Sequence, residues 1–275
     1  NIIGKGRVGI DIGTQTIAIA SQYNVKLLEL APEVSNIEKE KRILQRKLDR
    51  QRRANNLDNF NEDGTVKKGI RIGGRLTKLK WNESNRYIKT RNKLREIQRK
   101  QASIRKQSHE RLANYILNLG DKIYVEDMNY KGLQARAKET TINKKTGKYN
   151  KKKRFGKSLA NKAPSMFLTI LDNKLKYNGT QLYKIDTRSA RASQYNHVEN
   201  KYIKKDLSER WNNFGGYKIQ RDLYSAFLIM NIKDNLREIN RDLCIKTFDN
   251  FRKLHDKEIE RIENSNNKLI SSMGM

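Results

Sequence analysis

The sequence holds a single cysteine, Cys244, and only three histidines, His109, His197 and His255, in 275 residues. One thiol excludes an internal disulfide and a cysteine-rich zinc site, and the histidines lack the spacing of metal ligands, so no zinc is expected. There is no signal-peptide pattern and no run of 18 apolar residues. The chain therefore reads as a soluble, cytoplasmic protein without a membrane partner. No internal repeat is visible either.

Acidic residues are scarce. Asp and Glu number 30 against 60 Lys and Arg, a formal net charge of +30. Self-repulsion on that scale opposes compaction, so a polyanion is expected to neutralise it. Nucleic acid is the natural partner, with phosphate contacts dominating the affinity. A basic protein resting on a membrane surface is the alternative, but no lipidation signal marks one. The length allows one large domain or two modest ones. The chain begins at Asn1 rather than Met, and a strand pattern starts within its first ten residues, so sequence upstream of residue 1 is expected.

The stretch from Arg7 to Gly13 alternates. Val8, Ile10 and Ile12 fall on one face, and Gly9, Asp11 and Gly13 on the other. Residues 16–21 and 26–30 read as two further strands of an antiparallel meander. Ser35 and Glu38 have capping-box spacing and open a basic helix to about Asn55. Residues 56–81 read as a loop with a small hairpin. A longer basic helix, about 50 Å, is expected over 84–119, with Leu94, Ile97, Ile104, Leu112, Tyr115, Ile116 and Leu119 as its apolar stripe. A short strand follows at 122–126, then a Lys-rich loop at 137–157, a helix at 164–177 and a strand at 181–185. An irregular polar stretch at 187–217 leads to a helix near Asp222 and a last helix over 236–263. The alternation implies an α/β layer fold with helices inserted after the meander.

Three acids stand out by position. Asp11 lies on the first strand, opposite its apolar face. Glu126 ends a later strand on the same face as Tyr124, with Ile123 and Val125 behind. Asp222 opens a helix whose apolar side is Leu223, Ala226, Phe227 and Met230. Three carboxylates at one end of a sheet repel one another unless cations sit between them. Hard oxygen ligands select Mg²⁺ or Mn²⁺, and a pair of such ions can hydrolyse a phosphodiester. Each acid also has an ordinary reading: a turn residue for Asp11, an exposed strand end for Glu126, a helix cap for Asp222. On the long helix Arg91, Arg95 and Arg99 recur every four residues and Arg105 extends the row, a spacing suited to a phosphate backbone.

Gly9-Ile10-Asp11-Ile12-Gly13, Tyr124-Val125-Glu126-Asp127-Met128 and Arg221-Asp222-Leu223-Tyr224-Ser225-Ala226 resemble, in order, the three RuvC motifs of the transposon-encoded TnpB family, relatives of type V CRISPR effectors. The resemblance spans about residues 5–232 and extends to the basic helix pair, to Ala163-Pro164-Ser165-Met166-Phe167 and to Ser193-Gln194. It implies an RNase H-like (RuvC) fold and metal-binding catalytic roles for Asp11, Glu126 and Asp222. It also implies a guide RNA, cleavage of target DNA, and nucleic-acid contacts by Ser193, Gln194 and Arg221 as well as the four helix arginines. Such proteins, prokaryotic and nucleoid-associated, are often catalogued as transposases.

On this reading residues 1–34, 120–186 and 218–235 are the three RuvC parts and 35–119 the inserted helices. Residues 187–217 are a degenerate, cysteine-free zinc-ribbon-like insertion, and 236–275 a helical tail. The family's cysteine pairs are missing: Tyr195-Asn196-His197-Val198 and Asn212-Asn213-Phe214-Gly215-Gly216 stand in their places, with a metal-free hairpin expected around residues 207–211. The family's N-terminal wedge and recognition domains are not expected within residues 1–275. Three other readings remain open. A nuclease-inactive RNA- or DNA-binding regulator fits the missing cysteines. A sugar-kinase or actin-like phosphate loop fits residues 11–16, but its partner loop is missing. A Holliday-junction resolvase is the third.

Overall fold

The computed structural model describes residues 3–265, except 70, 73, 74, 145, 151, 153, 154, 205, 207, 208 and 215, together with residues 273 and 274. The chain divides into two compact units, Asn1–Pro32 with Lys106–Met275, and Glu33–Arg105. The larger unit opens with β1 (Arg7–Ile12), β2 (Thr16–Ser21) and β3 (Val25–Glu29), an antiparallel meander. Gly13 makes the first turn, its amide donating to the Thr16 carbonyl at 2.9 Å.

The smaller unit contains α1 (Glu38–Ala54), a 3₁₀ turn at Leu57–Asn59, and a hairpin of β4 (Arg71–Ile72) and β5 (Arg75–Leu76). It also holds most of α2 (Asn85–Leu119), whose last turns, from Lys106, belong to the larger unit. Helix α1 departs from the expected capping box. It begins at Glu38 with no side-chain cap on Ile37, because Asn36 accepts the Glu38 amide and closes the turn before Ser35 can. Polar and aromatic contacts organise this unit. Asn56 donates to the carbonyls of Arg52 and Asn82 and accepts the Asn82 amide, while the Arg52 guanidinium lies 3.5 Å from the Trp81 ring.

The larger unit resumes with β6 (Lys122–Glu126), α3 (Tyr130–Gln134), α4 (Gly156–Lys162), α5 (Pro164–Tyr177) and β7 (Leu182–Ile185). Strand β6 pairs parallel with β1, and β7 parallel with β6, so the sheet order is β3-β2-β1-β6-β7. The fold is therefore mixed α/β. Parallel neighbours require crossovers, and α5 lies within the β6–β7 connection. On one face of the sheet Val8, Ile10, Ile12, Ile123 and Val125 pack with Ala113, Ile116 and Leu117 of α2 and Phe167 and Leu171 of α5. The expected stripe on α2 holds only at its end. Leu94 and Ile97 are half-buried and Ile104 is exposed, while Ala113 and Leu117 are buried.

The rest of the chain covers the other face. After α6 (Thr187–Ala190), β8 (Tyr195–Asn196) and β9 (Lys201–Tyr202) come β10 (Trp211–Phe214) and β11 (Tyr217–Gln220), then α7 (Arg221–Met230) and α8 (Arg241–Glu263). The stretch expected to be irregular thus carries two short hairpins. The one expected around 207–211 lies partly outside the described residues, and the observed pairing is β10 with β11. Helix α7 is buried on all sides after Asp222 rather than along one stripe.

Helix α8 starts five residues later than expected, capped by Asn240, and is part of the core rather than a tail: Cys244, Phe251 and Ile262 are buried in it. Burial pushes the Cys244 thiol up to about 12. Buried Glu258 on α8 accepts the Leu27 amide at 2.9 Å and Lys26 Nζ at 2.8 Å, tying α8 to β3. Among the described residues no helix is long and apolar enough to cross a membrane.

Candidate three-carboxylate site

The parallel register of β1 and β6 sets Gly9 beside Tyr124 and Ile10 beside Val125. One step further it brings Asp11 alongside Glu126, the last residue of β6. Alternation puts Gly9, Asp11, Tyr124 and Glu126 on one face, and strands so paired lie about 4.8 Å apart. Tyr124 packs in the cluster built on α7, while Ile10 and Val125 pack in the opposite one, so the two acids stand on the α7 side. Asp127, of opposite parity, is exposed and pairs with Lys184 at 3.2 Å.

Asp222 comes from the first turn of α7. It is not the cap: Gln220 accepts the Leu223 amide at 2.8 Å, which leaves the Asp222 carboxylate for other partners. Helix α7 packs directly on β1 and β2. Gly9 permits this approach, because a Cβ there would overlap the Ala226 carbonyl oxygen and the Met230 amide.

The three acids feel one another. Asp11 keeps part of its surface open to solvent, yet protein walls it closely enough that burial raises its pKa well above the usual carboxylate range. Glu126 and Asp222 raise it further. The neighbouring Ser225 hydroxyl and Arg221 pull it the other way. Glu126 is raised by burial as well. Asp222 is met by two cations, Arg221 Nε at 3.4 Å and Arg210 Nη1 at 3.7 Å, and by Gln220 Nε2 at 3.4 Å.

Among the described residues no three carboxylate, imidazole or thiol side chains stand close enough together to hold an ion. Asp222 faces arginines instead. The donor chemistry nevertheless fits a hard divalent cation: three carboxylates from three elements, with two acids whose raised pKa values a cation would relieve. The three histidines are buried outside this constellation. His109 Nε2 donates to the Lys162 carbonyl at 2.9 Å, His197 Nδ1 lies 2.6 Å from the Tyr224 hydroxyl, and His255 Nε2 accepts the Gln220 amide at 3.0 Å.

The residues singled out for nucleic acid are in mixed states. Arg91 is paired with Glu83 at 2.5 Å, and Arg99 grips Glu96 with two 2.8 Å bonds. Arg95 is exposed, and Arg105 is half-buried with its pKa lowered by burial. Ser193 is exposed and Gln194 half-buried on a 3₁₀ turn that packs on α7. Arg221, besides meeting Asp222, donates to the carbonyls of Glu209 and Asp206 at 3.3 and 3.5 Å.

Sequence reasoning missed Arg210, Ser225 and Tyr130. Arg210 stands among basic residues with nothing local to single it out. Ser225 was legible as part of a motif but not as a neighbour of Asp11. Tyr130 lies four residues past Glu126, and only the fold of that connection turns it toward the acids. Compared with protein-family models and with curated proteins, the chain matches none.

Proposed function

We propose that this chain is the RuvC-type nuclease part of a TnpB-like, RNA-guided DNA endonuclease. The observation that carries the reading is that the β1–β6 register sets Asp11 alongside Glu126 while α7, which packs on β1, carries Asp222 in its first turn, one acid from each of three motifs far apart in sequence. A three-stranded antiparallel meander continued by two parallel strands supports an RNase H-like fold. The net charge of +30 supports a guide RNA and target DNA as partners.

Asp11, Glu126 and Asp222 are the residues that would hold Mg²⁺ or Mn²⁺. When bound, such ions supply charge neutralisation and an activated water for phosphodiester hydrolysis. The protein's own part is to hold the acids together. The β1–β6 register keeps Asp11 and Glu126 adjacent, and α7, which meets Gly9 through Ala226 and Met230, carries Asp222 in its first turn. Arg210 and Arg221 neutralise Asp222 and carry guanidinium donors of the kind phosphate oxygens accept.

Alanine at Asp11, Glu126 or Asp222 is expected to abolish cleavage of a guide-matched DNA while nucleic-acid binding stays near wild type. Near-normal cutting by any one variant refutes the three-acid site. Sequencing the RNA that co-purifies with the protein tests the guide. A second reading, a nuclease-inactive RNA- or DNA-binding regulator, is favoured by the arginine pairing of Asp222. It predicts guide and target binding without Mg²⁺-dependent cutting by the wild type.

A further inference from the structure

Helix α8 ends in an arrangement that works against the helix. Asp256, Glu260 and Glu263 stand at i, i+4 and i+7, so they share one face, and like charges at that spacing repel. Glu260 and Glu263 also lie in the last turn, where the helix dipole is already negative. Among the described residues no ion pair relieves these two, and Arg261, the basic residue of that turn, is bonded to Glu258 at 2.7 Å. In a chain with 60 Lys and Arg against 30 Asp and Glu, an acidic row left without cations calls for another explanation than stability.

The row borders an open groove of about 560 Å³ between α8 and the β10–β11 hairpin. Trp211, 36% exposed, and Ile259 supply apolar lining, and Lys218 stands there as a single lysine. The Trp211 ring lies edge-on to His255, with centroids 6.5 Å apart. His255 Nε2 accepts the Gln220 amide, so Nδ1 carries the proton and donates to Asp256 at 2.9 Å, which fixes one carboxylate oxygen and leaves the other for the groove. The row extends over about 10 Å of helix. Among the described residues no three such side chains are close enough to share one metal ion, and phosphate is repelled by all three. A long cation can meet each in turn.

We propose that this groove binds a linear polyamine, its ammonium groups on Asp256, Glu260 and Glu263 and its methylene spacers along Ile259 and the Trp211 ring. The indole face attracts a cation as well as covering the spacers. Three carboxylates and one lysine leave the groove with two net negative charges, so a bound triamine reverses its sign. The inference stands apart from the nuclease reading, because none of these residues belongs to the three-carboxylate site.

The test is calorimetric titration of the full chain, without nucleic acid, with spermidine at fixed ionic strength. The wild type is expected to bind spermidine more tightly than a diamine and a diamine more tightly than a monoamine. Glu260→Gln combined with Glu263→Gln is expected to weaken spermidine binding about tenfold, with Tm unchanged or slightly raised, since both side chains are exposed. Lys218→Gln removes the opposing charge and is expected to tighten binding about threefold. Equal affinity in wild type and the double variant overturns the proposal. So does a wild type that prefers no amine over another, or one from which Mg²⁺ at equal ionic strength displaces spermidine, the mark of a diffuse counter-ion surface. If the double variant does not fold, Lys218→Gln decides: unchanged or weaker spermidine binding overturns the proposal.

Discussion

Gly9 and Ala226 meet backbone to backbone, so that α7 lies on β1 with no room for a single methyl group between them. The contact sets the height at which Asp222 stands relative to Asp11. Gly9→Ala is therefore expected to lower stability by about 2–4 kcal/mol, at or beyond the usual range for overpacking, because backbone rather than a flexible side chain must move. Mn²⁺ binding should weaken in parallel. Thermal unfolding and metal titration check this, and a variant with wild-type Tm and wild-type binding refutes it.

Asp11 links stability to pH. Its folded pKa lies above the ordinary value of 3.8, so its contribution is fully present below that value and is lost as pH rises through the folded pKa. Above pH 3.8 the metal-free protein progressively loses that contribution. Asp11→Asn, measured with chelator present, is expected to raise Tm by about 3–6 °C at pH 7, and the gain should shrink toward pH 4.

His197 works in the opposite sense. Burial, then Arg241, lowers its pKa from 6.5 to about 4, so the stability it lends is present above 6.5 and lost as pH falls toward 4. That loss, on the order of 3 kcal/mol, is common to both proteins and cancels in the comparison. A gain for Asp11→Asn that is constant with pH contradicts the linkage.

Arg210 competes with a cation for Asp222, its guanidinium 3.7 Å from the carboxylate. Arg210→Gln is expected to tighten Mn²⁺ binding by about three- to tenfold in calorimetry without nucleic acid, the range of a partly exposed charge at this distance. Weaker binding in the variant means that the arginine supports the ion site rather than opposing it.

The basic helix α2 is less uniformly available to phosphate than its sequence implies, since Glu83 and Glu96 already engage Arg91 and Arg99. Replacing Arg91, Arg95, Arg99 and Arg105 together by Gln is expected to lower the salt slope of nucleic-acid binding by about 1–2, not by the 3 or so that four free phosphate contacts give. Arg95→Gln alone should produce about half of that loss. An unchanged slope removes this helix from the nucleic-acid path.

Elements whose signal is local were legible in the sequence. Short apolar runs mark β2 at Thr16–Ser21 and β6 at Lys122–Glu126, and Pro164 in the first turn marks the start of α5. Cap positions were less so. Ser35, Asn36 and Glu38 offer two competing closures, and the shorter-range bond from Asn36 prevails. The last helix was placed too early, because Leu236 has a left-handed backbone and Ile232 pairs with Ile239 in a bridge that pattern alone does not show.

The sequence by itself determined which strand face carries Asp11 and Glu126, because side-chain alternation is a property of the strand alone. It also determined the excess of positive charge and the order of the helices and strands. Only the tertiary structure decided that α7 is buried on every side and that α8 belongs to the core, since each face of a helix is assigned by what packs on it. It alone decided the partners of the charges. Burial would raise the pKa of Glu258, but bonds from Arg261, Lys26 and the Leu27 amide hold it below the usual range, and two of these partners lie more than 200 residues away. Arg210 meets Asp222 only because the chain between them folds back as the β10–β11 hairpin. Periodicity reports the geometry of one element at a time, whereas a carboxylate's charge state depends on every group the fold brings within a few ångströms of it.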